Sequence, residues 1–205
     1  MSLFPMFAKL DGRRVVVVGG GEIAAGKLGG LLQTGARIVV VSPALNSHVT
    51  ALVKEGKIDW LEKEFTQQDL DGAFLVIAAT SVPSVNESVY RAADARGLLC
   101  NAVDDIENCH FYYGAVVQRG DLQIAISTNG KSPALAQRLR KELEAQFGSE
   151  YESWIEWLGA AREVLRASEA ARAQTKEVLH NLASREGFDR FLQQSARKPS
   201  TEGVE

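Results

Sequence analysis

Cysteine is scarce in this chain of 205 residues, with Cys100 and Cys109 the only two. They show neither CxxC spacing nor a disulfide framework, which argues against a structural zinc site and for a reducing compartment. Two small buried thiols in a cytoplasmic protein are expected. Charge of one sign is lacking too: 26 acidic against 23 basic residues leave a formal net charge of -3. No whole-chain positive field exists to draw nucleic acid non-specifically, so nucleic acid is not an expected partner. No uninterrupted apolar run approaches the roughly 20 residues that a bilayer-crossing helix needs. The apolar start, Met1 to Phe7, lacks a basic leader and meets Lys9, Asp11, Arg13 and Arg14 before any cleavage pattern. A start that is part of the fold, and no membrane association, are expected. Proline is absent from residues 134 to 198, whereas fourteen of the 18 glycines and four of the 5 prolines lie at or before Pro133. That asymmetry predicts two kinds of architecture in one chain.

The composition, 45% hydrophobic and 24% charged, is that of a globular protein with room for one sizeable core and an accessory element. Arg14 to Val18 is a β-branched run without alternation, the mark of a parallel strand covered on both faces. It ends in Gly19-Gly20-Gly21. Ile23, Ala24, Leu28, Leu31 and Leu32 then recur at helical spacing up to Gly35, and Arg37 to Val41 starts a second strand. The alternation continues with a helix near 45–54, strands near 58–61 and over 74–79, a helix near 85–96 and a strand over 98–103. Strand and helix in this order predict an α/β fold, a Rossmann-like parallel sheet wound on both faces, over residues 1–113.

The pattern changes after Asp105. Residues 111–118 and 122–127 are strand-like and separated only by Arg119-Gly120-Asp121, a hairpin signal. Ser132-Pro133 supplies an N-cap and a proline at the first helical position, followed by Leu135, Leu139 and Leu143. A small α+β element over 114–147 is expected. Beyond it, Trp154, Trp157, Leu158, Ala161, Val164 and Leu165 mark one amphipathic helix, and Val178, Leu179 and Leu182 a second. Phe188, Phe191 and Leu192 suggest a third, before a polar, frayed tail from Lys198. Residues 148–205 form the predicted C-terminal helical domain.

Gly19-Gly20-Gly21-Glu22-Ile23-Ala24 fits G-x-G-x-x-A between a strand and a helix. In that motif the first glycine permits the turn and the second lets the backbone approach a pyrophosphate, while the small last residue allows helix and strand to pack closely; the helix N-terminus presents N–H donors to the anion. The position in a βαβ unit makes a dinucleotide site the expectation. The acidic residue that ordinarily holds the adenosine ribose at the end of the second strand is missing, and Ser42-Pro43 stands there instead. No arginine follows Val41 to receive a 2′-phosphate, so NAD is favoured over NADP, with Ser42 or the backbone at Pro43-Ala44 contacting the ribose. Ala79 and Thr80 end the fourth strand at the same edge and are placed beside the cofactor.

Asn101-Ala102-Val103-Asp104-Asp105 closes the fifth strand, where ligands bind in open α/β sheets. A carboxylate there serves either as a general base or as the cap of the next turn. His110 is likewise either a base or a loop residue. Thr128 to Pro133 leads from the hairpin into a helix, so its backbone donors and Lys131 suit an anion, although the spacing is not that of a P-loop. Arg138, Arg140 and Lys141 add positive charge, either as a solvated helix face or for a polycarboxylate.

Residues 3 to 145 resemble the precorrin-2 dehydrogenase / sirohydrochlorin ferrochelatase family, the bifunctional siroheme synthases and their single-function relatives. The likeness rests on Leu3 to Phe7, Val15 to Ala24 with Lys27, Asp71 to Thr80, Asn86, Asn101 to Asp104, and Ile124 to Leu135. It implies NAD-dependent oxidation of precorrin-2 to sirohydrochlorin on a homodimer whose second domain contributes to the substrate cleft. The resemblance makes Asp104 the residue implicated in dehydrogenation and metal insertion, leaving iron chelation, with Fe²⁺ as substrate, open. The glycine turn and the strand ends place Gly19, Gly21, Glu22, Ile23, Ser42, Pro43, Ala44, Ala79 and Thr80 at the cofactor. Asn101, Thr128, Lys131, Ser132 and Arg138 go to the tetrapyrrole, and no resident metal is implied. The chain departs from the family at Phe111 to Ala115, where a proline is common, at Gly26, where arginine often precedes the lysine, and at Thr128, where some bifunctional members have serine. The length leaves no room for a methyltransferase domain, so separate enzymes are expected to methylate the precursor. Two other readings are an NAD-sensing module without chemistry and a small hydroxy-acid dehydrogenase. The first does not account for Asn101 to Asp104 together with Ser127 to Pro133, and the second lacks a histidine and arginine pair.

Overall fold

A computed structural model describes residues 3–167 and 175–197. The chain divides into two units, with the boundary between Tyr113 and Gly114. In the first unit, β1 (Arg14–Val18), β2 (Arg37–Val41), β3 (Asp59–Leu61), β4 (Leu75–Ala78) and β5 (Leu99–Ala102) form one parallel sheet in the order β3-β2-β1-β4-β5. The helices α1 (Glu22–Leu32), α2 (Ser47–Lys54) and α3 (Pro83–Asp94) connect the strands, with a 3₁₀ turn at Gln67–Leu70. This is the Rossmann-like fold that the alternation predicts, and the strand order reverses between β1 and β4.

The unbroken valine run of β1 follows from burial on both sides. Val15 and Val17 pack with Ile38, Val40, Leu75 and Ile77 under Ala24, Leu28 and Leu31 of α1 and Val49 and Leu52 of α2. Val16 and Val18 face the other way, with Val41, Val76, Ala78, Cys100 and Ala102 against Val89, Ala92 and Ala93 of α3. Each wholly buried valine or isoleucine contributes about 1.5–3 kcal/mol of transfer free energy, so a polar side chain on either face would be costly. Expected strand ends shrink by a residue or so where the chain leaves the ladder. Phe74 and Ala79 fall outside β4, for instance, although their N–H groups still bond to the Arg14 and Val18 carbonyls.

The first core residue is Leu10. Leu3, Phe4, Met6 and Phe7 are exposed, so the apolar start that was expected to belong to the fold adds nothing to either core face. Met1 and Ser2 lie outside the described residues, as does the polar tail from Lys198.

In the second unit, β6 (Ala115–Arg119) and β7 (Leu122–Ile126) pair antiparallel around a two-residue loop. Gly120 opens that loop at φ +53, the positive angle that primed hairpin turns require. The hairpin begins at Ala115 rather than at Phe111, because Phe111 belongs to the first unit, where its carbonyl accepts from Asn101. The helix α4 (Pro133–Gln146) starts as predicted, with the Ser132 side chain accepting from the Leu135 N–H and Pro133 at the first position. Arg119 ties the hairpin to the end of α4 by donating to the Phe147 and Glu144 carbonyls at 2.9 and 3.1 Å. The helices α5 (Glu150–Ala167), α6 (Thr175–Leu182) and α7 (Arg185–Arg197) follow, and Tyr151, Trp154 and Phe188 stack together between α5 and α7.

A buried carboxylate braces the connection into β4. Burial alone would raise the Asp69 carboxyl, but donation from Lys63 at 2.7 Å and from the Thr66 N–H at 2.7 Å outweighs it and holds the group below its ordinary range. A lowered native value means that the carboxylate stabilises the fold above its unfolded titration, an effect that disappears as pH falls through the native one. Asp69→Ala is therefore expected to cost about 1–3 kcal/mol in urea unfolding at pH 7. The gap from wild type should narrow below about pH 4.

Candidate functional site

The reversal of strand order between β1 and β4 opens a crevice at the carboxyl edge of the sheet, the usual ligand position in open α/β folds. Its first wall is the glycine turn, and the three glycines do different work. Gly19 sits at φ +119, and a Cβ there would lie 2.4 Å from the Ala79 carbonyl oxygen. At Gly20 a Cβ would lie 2.3 Å from the Ala44 carbonyl and 2.6 Å from Leu45. At Gly21 it would meet no atom within 4 Å. The first two glycines let the turn lie flat against the ends of β4 and β2, and the third leaves the approach to α1 open. Gly20, which the motif treats as variable, is as restricted as Gly19.

The start of α1 is open in its donors as well. Gly21 is the N-cap and no side chain caps the helix, so its first N–H groups have no intrahelical acceptor. By contrast, Asn46 caps α2 through the Val49 N–H. Gly21 without a Cβ, uncapped donors and buried Ala24 under the strand together fit a dinucleotide pyrophosphate.

After β2 the expected ribose contacts are arranged differently from their order in the sequence. Ser42 is buried and its hydroxyl donates to the Ala44 carbonyl at 2.7 Å, while its own carbonyl accepts from the Trp60 indole at 2.9 Å. Ser42 thus braces the turn that carries Pro43 and Ala44. The carboxylate of this region comes from α1: the Asn46 side-chain amide donates to Glu22 Oε1 at 2.8 Å. This drags an exposed acid toward the loop after β2, and nothing in the local spacing of Glu22 and Asn46 signals it. Ile23 beside it is exposed. At the second wall, Thr80 is half-buried and held by Asn86.

At the end of β5 the two aspartates separate. The Asp105 carboxylate accepts from the Asn108 N–H at 3.3 Å and from its side-chain amide at 2.6 Å, so Asp105 is the turn cap. Asp104 is exposed, stands at φ +63, and its carboxylate makes no hydrogen bond or ion pair among the described residues. Left-handed backbone is tolerated by aspartate at a cost, and it persists where neighbours enforce it. Here the Val103 N–H is pinned to the Ala78 carbonyl and the Asp105 N–H to Ala102. Asn101 is buried, and its amide donates to the Phe111 carbonyl at 2.8 Å and to Cys109 Sγ at 3.3 Å; it holds the loop that carries Asp104.

His110 resolves as a loop residue. Its Nδ1 accepts from the Cys100 N–H at 3.1 Å, which puts the proton on Nε2, 3.1 Å from Asp94, and the ring stacks on Tyr90. Burial pushes the Cys100 thiol up to about 12, and burial is also the main cause raising half-buried Cys109. Both shifts disfavour the thiolate, the nucleophilic form of cysteine. Lys27 of α1 lies 4.3 Å over the Tyr113 ring with no ion pair among the described residues.

In the second unit, the loop before α4 turns through Asn129 at φ +53 and Gly130 at φ +74. Several of its donors are already taken: Lys131 N–H by the Thr128 carbonyl, Ser132 N–H by the Thr128 hydroxyl and Leu135 N–H by the Ser132 hydroxyl. Arg138 lies 3.5 Å from Glu142, with both side chains exposed, and Arg140 pairs with Glu144. Lys131 is exposed and has no ion pair among the described residues.

A family model described as NAD(P)-binding matches residues 6–115, and one described as the sirohaem biosynthesis protein central region matches residues 119–146. The chain belongs to the NAD(P)-binding family of the first model, which spans more than half of it. It is 39% identical over 197 residues to siroheme synthase 1 of Aeromonas salmonicida, covering 96% of this chain and 42% of that one. It is 46% identical over 149 residues to siroheme synthase 1 of Yersinia enterocolitica, covering 73% of this chain and 32% of the relative. The chain thus spans less than half the length of these curated relatives. A solved structure, SirC, precorrin-2 dehydrogenase, superposes with a TM-score of 0.79 at 28% identity, over 96% of this chain and all of that one. A nicotinamide dinucleotide is the cofactor class of this family, and the glycine turn at the crevice between β1 and β4 fits it.

Gly19→Ala is expected to destabilise the fold by roughly 3 kcal/mol or more, from backbone strain and overlap with Ala79. Gly21→Ala should unfold at nearly the wild-type temperature yet bind NADH about tenfold more weakly. Thermal melts and fluorescence titration of the two variants separate these effects.

Proposed function

We propose that this chain oxidises precorrin-2 to sirohydrochlorin with NAD as hydride acceptor, in siroheme biosynthesis. The observation that carries the reading is the pairing of an open, uncapped dinucleotide turn with an exposed Asp104, unpartnered among the described residues, on the edge of the same sheet. The oxidation removes one hydride and one proton from the macrocycle. Bound NAD⁺ supplies the hydride acceptor, and the Asp104 carboxylate receives the proton. Asn101 and the turn cap Asp105 keep Asp104 in place. The similarity to SirC, precorrin-2 dehydrogenase, supports this activity.

The dinucleotide contacts in this reading are the backbone of Gly19 and Gly21, the first turn of α1 at Glu22 and Ile23, the Ser42-Pro43-Ala44 turn, and Ala79 and Thr80. NAD is preferred to NADP because the Glu22 carboxylate, turned toward the loop after β2 by Asn46, would repel a 2′-phosphate. Residues 114–147 form a dimerisation and substrate element and 148–205 a helical domain of a homodimer working in the cytoplasm. On that element Thr128, Lys131, Ser132 and Arg138 take tetrapyrrole carboxylates, Lys131 with no ion pair among the described residues. Insertion of Fe²⁺ into the product is a second activity of the same reading, with Asp104 accepting protons from the pyrrole nitrogens as the metal enters.

Anaerobic incubation with precorrin-2 and NAD⁺ is expected to yield NADH and the sirohydrochlorin spectrum, and then a metallated spectrum on addition of Fe²⁺. Folded, NADH-binding protein that forms neither product would overturn the dehydrogenase assignment. Asp104→Ala should lower turnover about a hundredfold or more while leaving the NADH Kd within about twofold. Glu22→Gln should improve NADPH binding about tenfold relative to NADH, read in paired titrations.

A further inference from the structure

Asn86 lies in the first turns of α3, is 6% exposed, and directs its whole side-chain amide at one residue. Its Oδ1 accepts from the Thr80 N–H at 3.1 Å and from the Thr80 hydroxyl at 2.8 Å, and its Nδ2 donates to the Thr80 carbonyl at 3.0 Å. One amide therefore saturates both backbone groups of Thr80, as a neighbouring strand would. The contacts also orient the amide, since an N–H needs an acceptor and a carbonyl needs a donor. Neither a carboxylate nor an aliphatic side chain of similar shape meets both demands.

Thr80 follows Ala79, whose N–H bonds to the Val18 carbonyl at 2.8 Å and whose carbonyl oxygen is the atom that a Cβ on Gly19 would strike. The two walls of the crevice therefore meet at Ala79. The glycine wall is held by close backbone packing, and the Thr80 wall leaves the sheet after Ala79, where no further strand pairing can hold it. We infer that Asn86 is a positioning residue for the dinucleotide: it takes the place of the missing strand, locks the Ala79–Thr80 wall at the distance that Gly19 sets, and acts on the cofactor only through Thr80. Burial keeps Asn86 itself from the ligand. This rests on the dinucleotide reading of the crevice and is independent of which tetrapyrrole is oxidised.

The test is NADH fluorescence titration of the 205-residue chain beside thermal melts and precorrin-2 kinetics. Asn86→Ala is expected to raise the NADH Kd and the KM for NAD about tenfold while kcat at saturating NAD stays within about twofold. Asn86→Asp keeps both accepting contacts and loses the donor to the Thr80 carbonyl, so it should fall between wild type and Asn86→Ala. A folded Asn86→Ala protein with a lowered melting temperature and an unchanged Kd, measured well below that temperature, overturns the inference and leaves Asn86 a structural residue. If Asn86→Ala does not fold, Asn86→Asp decides by the same criterion. Wild-type protein that does not bind NADH overturns the dinucleotide reading itself, and this inference with it.

Discussion

The carboxyl edge of the sheet depends on one close contact, the backbone of Gly19 against the carbonyl of Ala79. It occurs where the strand order reverses, so two chain segments leave adjacent parallel strands in opposite directions and a crevice opens between them. Any side chain at Gly19 would hold those segments apart. Gly20 repeats the constraint against Ala44 and Leu45, and the two contacts aim the open side of Gly21 and the bare start of α1 at one space. Shape comes first here, and the electrostatics of the helix N-terminus act on what that shape leaves accessible.

Around this edge most polar side chains are committed to bracing. Ser42 holds its own turn, Asn101 holds the loop beyond β5, Asp105 caps that loop, His110 bridges Cys100 and Asp94, and Asn86 holds Thr80. Buried donors and acceptors left without partners would each cost about 1–3 kcal/mol, so a loop crossing the end of a sheet must satisfy them internally. Among the described residues, two charged groups stand out because they are not used in this way: Asp104 is held in left-handed backbone with no partner for its carboxylate, and Lys27 rests on an aromatic face. Separating ligands from braces is thus a question of which hydrogen bonds are already made.

Much of the fold was legible along the chain. The continuous valines of β1 and β2, the helical spacing after Gly21 and the serine-proline start of α4 each encode their own element, because the pattern that forms the element is local. The hairpin was legible through Gly120, though its start moved from Phe111 to Ala115 once Asn101 claimed Phe111. The site was legible in part: the glycine turn and the Asp104 pair could be located, but Asp104 and Asp105 are identical in kind and adjacent, and local pattern could not tell the turn cap from the carboxylate left open. Asn46 and Gly20 carried no signal for their roles, since both depend on what lies across the turn.

By itself, then, the sequence determined the elements, their order, the parallel sheet and the position of the dinucleotide turn, because strand burial, helix periodicity and glycine requirements are properties of neighbouring residues. Only the tertiary structure decided which polar groups are free to meet a ligand. The side chains of Ser42 and Asn101 are committed to internal hydrogen bonds, while Glu22 reaches a loop that no spacing connects to it. The physical reason is that a hydrogen bond is satisfied or left open by whichever group the fold brings within about 3 Å, and in a sheet wound on both faces that group comes from another element.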